Sequence, residues 1–240
     1  MAPSTDSTDS TAAPGLPPAD PGRPYTHEMV VVHRVFRRES ALLPRLVRAV
    51  PAGDVARART VAEYAEEYAH GLHHHHHLED ELIWPLLRER AGQSSASDAL
   101  VARMEDQHGT IDTTLNQAAV LLTTWRETAD PDTALRLADV LDTHRDALTE
   151  HLDDEERLVL PLVAEHLTVA EWDEVGRRGL ETLPKNKVLL ALGAILEDAT
   201  PAERAYFLGR APLAGRLLWR LVGRRQYASR CRALRAPLVA

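Results

Sequence analysis

A chain of 240 residues that is 44% hydrophobic can bury one substantial core and still carry an appendage, while its single cysteine, Cys231, excludes a disulfide framework and a thiolate metal cage. Aromatics at only 5%, set among abundant Leu, Ala, Arg and Glu, argue against a strand-rich protein and predict an all-α one. The net charge of −8 is uneven: residues 201–240 hold nine arginines against Glu203, a segment of +8, which leaves −16 on residues 1–200.

Met1 to Pro24 is rich in Ser, Thr, Asp, Pro and Ala and lacks an apolar run long enough for a signal-peptide core, so residues 1–24 are expected to form a disordered tail. No stretch reaches the roughly 20 apolar residues that span a bilayer, and a lone cysteine fits a reducing cytoplasm. Four amphipathic stretches follow, punctuated at Pro51-Ala52-Gly53-Asp54, around Gly92 to Ser97, and at Asp130-Pro131-Asp132. In the first, Val30, His33, Phe36, Ser40, Leu43 and Val47 share a face. The second aligns Val61, Tyr64 or Ala65, Tyr68, Leu72, His75, Glu79, Leu82 and Leu86. The third runs Val101, Met104, His108, Ile111, Leu115, Ala118, Leu122, Trp125, an apolar seam broken by one histidine. The fourth runs Leu141, His144, Leu148, His151, Glu155, Leu158, Leu162, with three polar residues where a bundle buries leucines. Every helix turns a histidine inward, and the short connections predict an up-and-down antiparallel four-helix bundle.

The two halves repeat. His75, Glu79 and Pro85 recur 76 residues later as His151, Glu155 and Pro161, and His33 recurs 75 residues later as His108. A duplicated helical hairpin would bring both sets to one pseudo-symmetric centre. In each H-x-x-x-E element the two side chains sit one turn apart on the same face, about 6 Å along the axis, and can grip one metal or two neighbouring metals. Four imidazoles with two carboxylates able to bridge form a mixed nitrogen and oxygen set that suits a pair of irons. Without a cation each of these groups would cost several kcal/mol to bury. The expected metal ligands are therefore His33, His75, Glu79, His108, His151 and Glu155. Tyr68 and His144, also 76 apart, are read as lining or outer residues.

Within the run His73 to His77 only His75 matches the repeat, so His73, His74, His76 and His77 are read as a tag-like stretch of low complexity. His77 and Glu81 share the same spacing but fall about 200° around the helix and should face outward. His27, His70 and His166 have no repeat partner and are expected at the surface. Pro85 and Pro161 should bend or end their helices soon after the ligands.

The order His33, His75-x-x-x-Glu79, His108, His151-x-x-x-Glu155, with the phrases VVHRVFRRE and EDELIWPLL, resembles the hemerythrin-like, or HHE cation-binding, domain family over residues 25–167. The resemblance implies a bundle with an oxo- or hydroxo-bridged centre of two non-haem irons that engages O2, peroxide or nitric oxide in sensing or detoxification. It leaves two further readings: a peroxide- or nitric-oxide-decomposing enzyme, or a non-catalytic iron-holding or interaction module. Oxygen-carrying members place five histidines, two of them as H-x-x-x-H on the third helix. Here Met104 stands in the first of those positions, which implies fewer imidazoles, more open coordination, and irreversible chemistry with oxidants in place of oxygen carriage. No nucleic-acid partner is expected.

Residues 168–240 read as a basic helical extension. Thr168 opens a short helix with Glu171 at capping-box spacing, and further helices are expected over Lys185 to Glu197, Pro201 to Gly209, and Leu213 to about Arg235. The last gathers Leu213, Leu217, Leu218, Leu221 and Val222 on one side with arginines around them. It could bind an acidic partner or lie on a membrane surface. The preferred expectation is that its apolar side packs on the bundle while its arginines pair with the acidic body.

Overall fold

Asp54 and Asp130 begin two of the predicted helices as N-caps, accepting hydrogen bonds from the backbone N–H of Arg57 at 3.0 Å and Thr133 at 2.8 Å. In the structure, a computed structural model that describes residues 16–17, 20–91 and 95–238, these caps and the intervening turns define α1 (His27–Arg48), α2 (Val55–Leu82), α3 (Trp84–Arg90), α4 (Ser95–Thr128) and α5 (Pro131–Asp154). Most of the tail expected over residues 1–24 lies outside the described residues. Helices α1, α2, α4 and α5 form a closed ring of neighbours. The turn before α2 meets the turn before α5, where the Gly53 N–H donates to the Ala129 carbonyl at 3.1 Å, as expected of an up-and-down bundle. All the described residues of the protein are helix, turn or coil, and no helix among them is long and apolar enough to cross a membrane.

The core is divided. One apolar cluster gathers Leu43, Leu46, Ala62, Leu72, Ile111, Trp125, Leu137 and Leu148. The other gathers Met29, Ile83, Trp84, Leu87, Val101, Met104, Val159 and Trp172. The seam histidines and glutamates belong to neither cluster. Met104 is fully buried as ordinary core.

Both prolines act at the boundary of a helix. In the first half α2 stops at Leu82, and Pro85 lies in the opening turn of α3, where its missing N–H has no helical partner to lose. In the second half the chain stays helical but widens into a π-turn over Glu155–Val159, with the Leu160 N–H bonded to the Glu155 carbonyl, before α6 (Leu160–His166) begins with Pro161 in its first turn. One sequence element thus produces a break in one half and a bulge in the other.

Thr168 and Glu171 form the expected capping box at the start of α7 (Val169–Glu181), which packs along α2. The remaining helices are α8 (Val188–Glu197), α9 (Pro201–Arg210), α10 (Leu213–Leu218), a second π-turn over Trp219–Gly223, and α11 (Arg224–Arg235). Helix α8 rests on α1 and α11 rests on α8. Gly193 is required at that crossing, because a Cβ there would collide with the Tyr227 ring. Glu203 joins α9 to α1, accepting from Arg34 Nη1 at 2.9 Å and lying 2.7 Å from His27 Nε2. His27 is therefore a half-buried docking residue and not the surface residue expected of it.

The expected seating of the last helix needs correction. Its contact with α8 is made by Gly223, beside Leu189, and by Tyr227, on Gly193, with the buried Trp219 folded over Gly223, while Leu213, Leu217, Leu218, Leu221 and Val222 are all exposed. Arg210, Arg230 and Arg235 do pair with the acidic body, at Asp173, Glu67 and Glu197.

Candidate metal centre

Helices α1, α2, α4 and α5 each contribute to one buried layer. The six residues picked out by the repeat, His33, His75, Glu79, His108, His151 and Glu155, all meet there, and a seventh, His76, joins them. Their ligand-type atoms fall into two overlapping groups, each within 4.8 Å of one another: His33, His75, Glu79 and Glu155 in one, and His76, Glu79, His108 and His151 in the other. Glu79 belongs to both. Its Oε1 lies 3.0 Å from His75 Nε2 and its Oε2 3.4 Å from His108 Nε2. Glu155 also faces both groups, with Oε2 3.3 Å from His33 Nε2 and 3.8 Å from His151 Nε2.

His76 overturns its reading as part of a tag-like run. It is only 3% exposed and stacks on His108 with centroids 4.0 Å apart and planes inclined by 9°. The available signal was local: His76 lies three residues before Glu79, and three residues apart on a helix is the same face as four. The repeat hid it, because the matching position in the second half is Leu152, a buried apolar residue. His73 and His77 are well exposed, and His74 lies 2.5 Å from the Thr182 hydroxyl, outside the layer. Glu81, expected to face outward with His77, pairs with Arg178 of α7. His70 is exposed as expected and His166 half-buried.

The chemistry of the layer is that of a donor set without acceptor or proton partners. Twelve buried side-chain nitrogens and oxygens among the described residues lack a hydrogen bond, and ten of them are here: Nε2 of His33, His75, His108 and His151, both ring nitrogens of His76, and both oxygens of Glu79 and Glu155. Unsatisfied buried polar atoms are rare in folded proteins and cost about 1–3 kcal/mol each. Ten in one layer is far beyond what such a core tolerates, whereas a pair of dications would satisfy nine of them, all but the second ring nitrogen of His76. The residues present fit such a pair.

The outward ring nitrogens are held. His33 Nδ1 meets Glu156 at 3.0 Å, His108 Nδ1 meets Asp80 at 2.9 Å, and His151 Nδ1 meets the Gln107 side-chain oxygen at 3.3 Å. With Nδ1–H donating to these partners, each Nε2 is turned into the layer, the orientation a metal ligand requires. Asp154, which the sequence reading did not select, accepts from Gln107 at 3.0 Å and so holds that amide in place.

Burial sets the charges. It drives His75 down to about 4 and His151 to about 3, and with the neighbouring imidazoles it drives His76 well below its ordinary value. These rings are therefore neutral. His108 is the exception: burial lowers it, but its bond to Asp80 and the Glu79 carboxylate together lift it to about 9. Burial opposes the charge on Glu79 too, yet the surrounding imidazoles hold it down to about 2. Glu155 is pushed well up by burial and by the charges of Glu79 and Glu156. Such a divided pair of carboxylates is what two like charges in one pocket produce when no cation separates them.

Tyr68 and His144, related by the repeat, meet each other and not the metal groups. The Thr114 hydroxyl donates to the Ile111 carbonyl at 2.7 Å, so at 3.0 Å it accepts from His144 Nδ1–H. His144 Nε2 is then left to accept the Tyr68 hydroxyl proton at 2.7 Å. His144 is a satisfied core histidine, kept neutral by burial, which lowers it to about 4. Phe36 separates this chain from the metal layer, its ring 6.3 Å from Tyr68 and 4.9 Å from His75.

The layer is enclosed. The His33, His151, Glu79 and Glu155 side chains are fully buried, and His75 shows only 11% of its surface.

A family model described as the hemerythrin HHE cation-binding domain matches residues 25–163. No curated protein and no solved structure matches the chain.

Proposed function

Because this chain belongs to the hemerythrin family of HHE cation-binding domains, we propose that its layer of five histidines and two glutamates holds two non-haem irons. On this reading the protein binds or reacts with O2 or a related small oxidant, peroxide or nitric oxide, in sensing or detoxification. The observation that carries the reading is the concentration of ten unpartnered buried donor atoms in one layer, with two carboxylates each facing both halves of it.

His33, His75, Glu79 and Glu155 would hold one iron, and His76, His108, His151 and Glu79 the other, with Glu155 close enough to join it. The irons would supply adjacent centres able to change oxidation state. The protein's part is to keep His75, His76 and His151 neutral, orient the His33, His108 and His151 rings through Glu156, Asp80 and Gln107, and exclude bulk water. Imidazoles with bridging carboxylates favour iron over an alkaline-earth ion, and the lack of thiolate argues against a zinc cage. Two octahedral ions offer about twelve positions. Seven side chains with both carboxylates bridging fill about nine, so the seven residues leave room for a bridging oxygen and a small exogenous ligand. The enclosure of these side chains suits a diatomic or peroxide better than any larger substrate.

His76 changes one expectation. The nitrogen that α4 lacks at Met104 is offered from α2, so a shortage of imidazoles no longer argues against oxygen carriage. Stopped-flow mixing of the diferrous protein with O2, H2O2 and nitric oxide tests the functional reading. A new charge-transfer band within the mixing experiment is expected with at least one of them. A band that is stable and reversible marks a binder, and turnover with gas release marks an enzyme. Spectra indifferent to all three would contradict any small-oxidant role and leave an iron-holding module.

A further inference from the structure

Five of the nine large hydrophobic side chains that stand exposed among the described residues fall within ten consecutive positions: Leu213, Leu217, Leu218, Leu221 and Val222, each 47–79% exposed. They lie on α10 and the π-turn that continues it, a segment fixed to α8 from its opposite side by Trp219, Gly223 and Tyr227. This apolar face is therefore presented outward by a docked helix. A soluble protein does not collect such a strip without a partner for it.

What flanks the strip decides the partner. Arg220, Arg224, Arg225 and Arg232 are exposed, and none has a hydrogen bond or ion pair among the described residues. No acid occurs after Glu203. The other arginines of this segment are engaged: Arg216 on the Ala211 and Gly209 carbonyls, Arg230 on Glu67 and Arg235 on Glu197. Free guanidinium groups beside exposed leucines on one helix, with no carboxylate among them, complement a surface that is anionic outside and apolar just beneath. An acidic protein would meet the arginines and leave the leucines in water. The geometry points to a monotopic contact between this helix and an anionic phospholipid bilayer, with the leucines entering the interface and the arginines at the phosphates. The metal layer lies in the bundle core, on other helices, so this contact is independent of the proposed iron chemistry.

Flotation of the full-length, iron-loaded protein with vesicles tests the contact. Vesicles of phosphatidylcholine with about a third phosphatidylglycerol should carry the protein upward at low salt, at least tenfold more than phosphatidylcholine alone. The double variant Leu217→Asp, Leu221→Asp should abolish flotation, and Arg220→Gln, Arg224→Gln should weaken it and flatten its salt dependence. Because all four positions are exposed, circular dichroism and iron content should match the parent, which separates lost binding from lost folding. Failure of the parent protein to float with anionic vesicles would overturn the proposal. So would flotation that survives the aspartates, or a concentration-dependent dimer that they abolish, the latter assigning the strip to a second copy of the chain.

Discussion

Replacing Glu79 with alanine is expected to strip the protein of both irons, the largest loss of any single substitution in the layer. Glu79 is the residue common to both donor groups, and its oxygens face His75 and His108 on opposite sides. Losing a terminal imidazole removes one donor from one metal, whereas losing Glu79 removes a donor from each and the link between them. Metal content should fall from about two per chain to below about 0.2. The stability consequence follows from linkage: a ligand present at a thousandfold excess over its dissociation constant contributes about 4 kcal/mol, which for a chain of this size is on the order of 10 °C in Tm. Iron-loaded parent should therefore melt about 10 °C above Glu79→Ala. With a chelator present the order should close or reverse, because the metal-free parent retains a buried carboxylate that neither solvent nor a hydrogen bond satisfies. Calorimetry of the two proteins with and without iron makes the comparison. A Glu79→Ala protein that keeps two irons would place the bridge elsewhere.

The second large effect separates neighbours in the histidine run. His75→Ala and His76→Ala should each lower iron content, to about one per chain or less, since each removes a buried donor from one group. His77→Ala should leave it at two, because that ring is exposed and lies beside Glu81 outside the layer. Absorption and metal analysis of the three variants side by side would show it. Equal retention by His76→Ala and His77→Ala would return His76 to the role of a packing residue against His108.

These contrasts also show which parts of the protein could be read from the chain. The four bundle helices and the inward histidines were legible because apolar spacing and duplication agree: His75, Glu79 and Pro85 reappear 76 residues later, and chance seldom repeats three positions together. Tyr68 and His144 are singled out by the same repeat, which carries no information about their distance from the buried histidine and glutamate layer. The structure resolves them as a hydrogen-bonded pair. His76 was lost because the duplication is imperfect where it matters: the layer takes five imidazoles, and the fifth has Leu152 as its counterpart. Symmetry cannot reveal a residue that lacks a symmetric counterpart, although spacing from Glu79 could have.

The prolines disturb both helices beside the layer, as their positions predict, but in two different ways. Whether a missing N–H ends a helix, as before Trp84, or is absorbed by a π-turn, as at Glu155–Val159, depends on packing that one strand of sequence does not encode. The last helix failed for a related reason. An amphipathic pattern shows that a helix has an apolar side, not that the side is covered. Gly193 admits the Tyr227 ring and Gly223 brings the helix close to Leu189, on the face opposite the leucines, and that contact outweighed the longer aliphatic stripe.

The number and kind of metal ions in protein made without an affinity tag decide most directly whether this layer holds a diiron centre. Mössbauer spectroscopy and metal analysis of such material should find about two irons per chain, antiferromagnetically coupled and silent in electron paramagnetic resonance when both are ferric. One tightly held zinc per chain, or a single uncoupled iron, would contradict it.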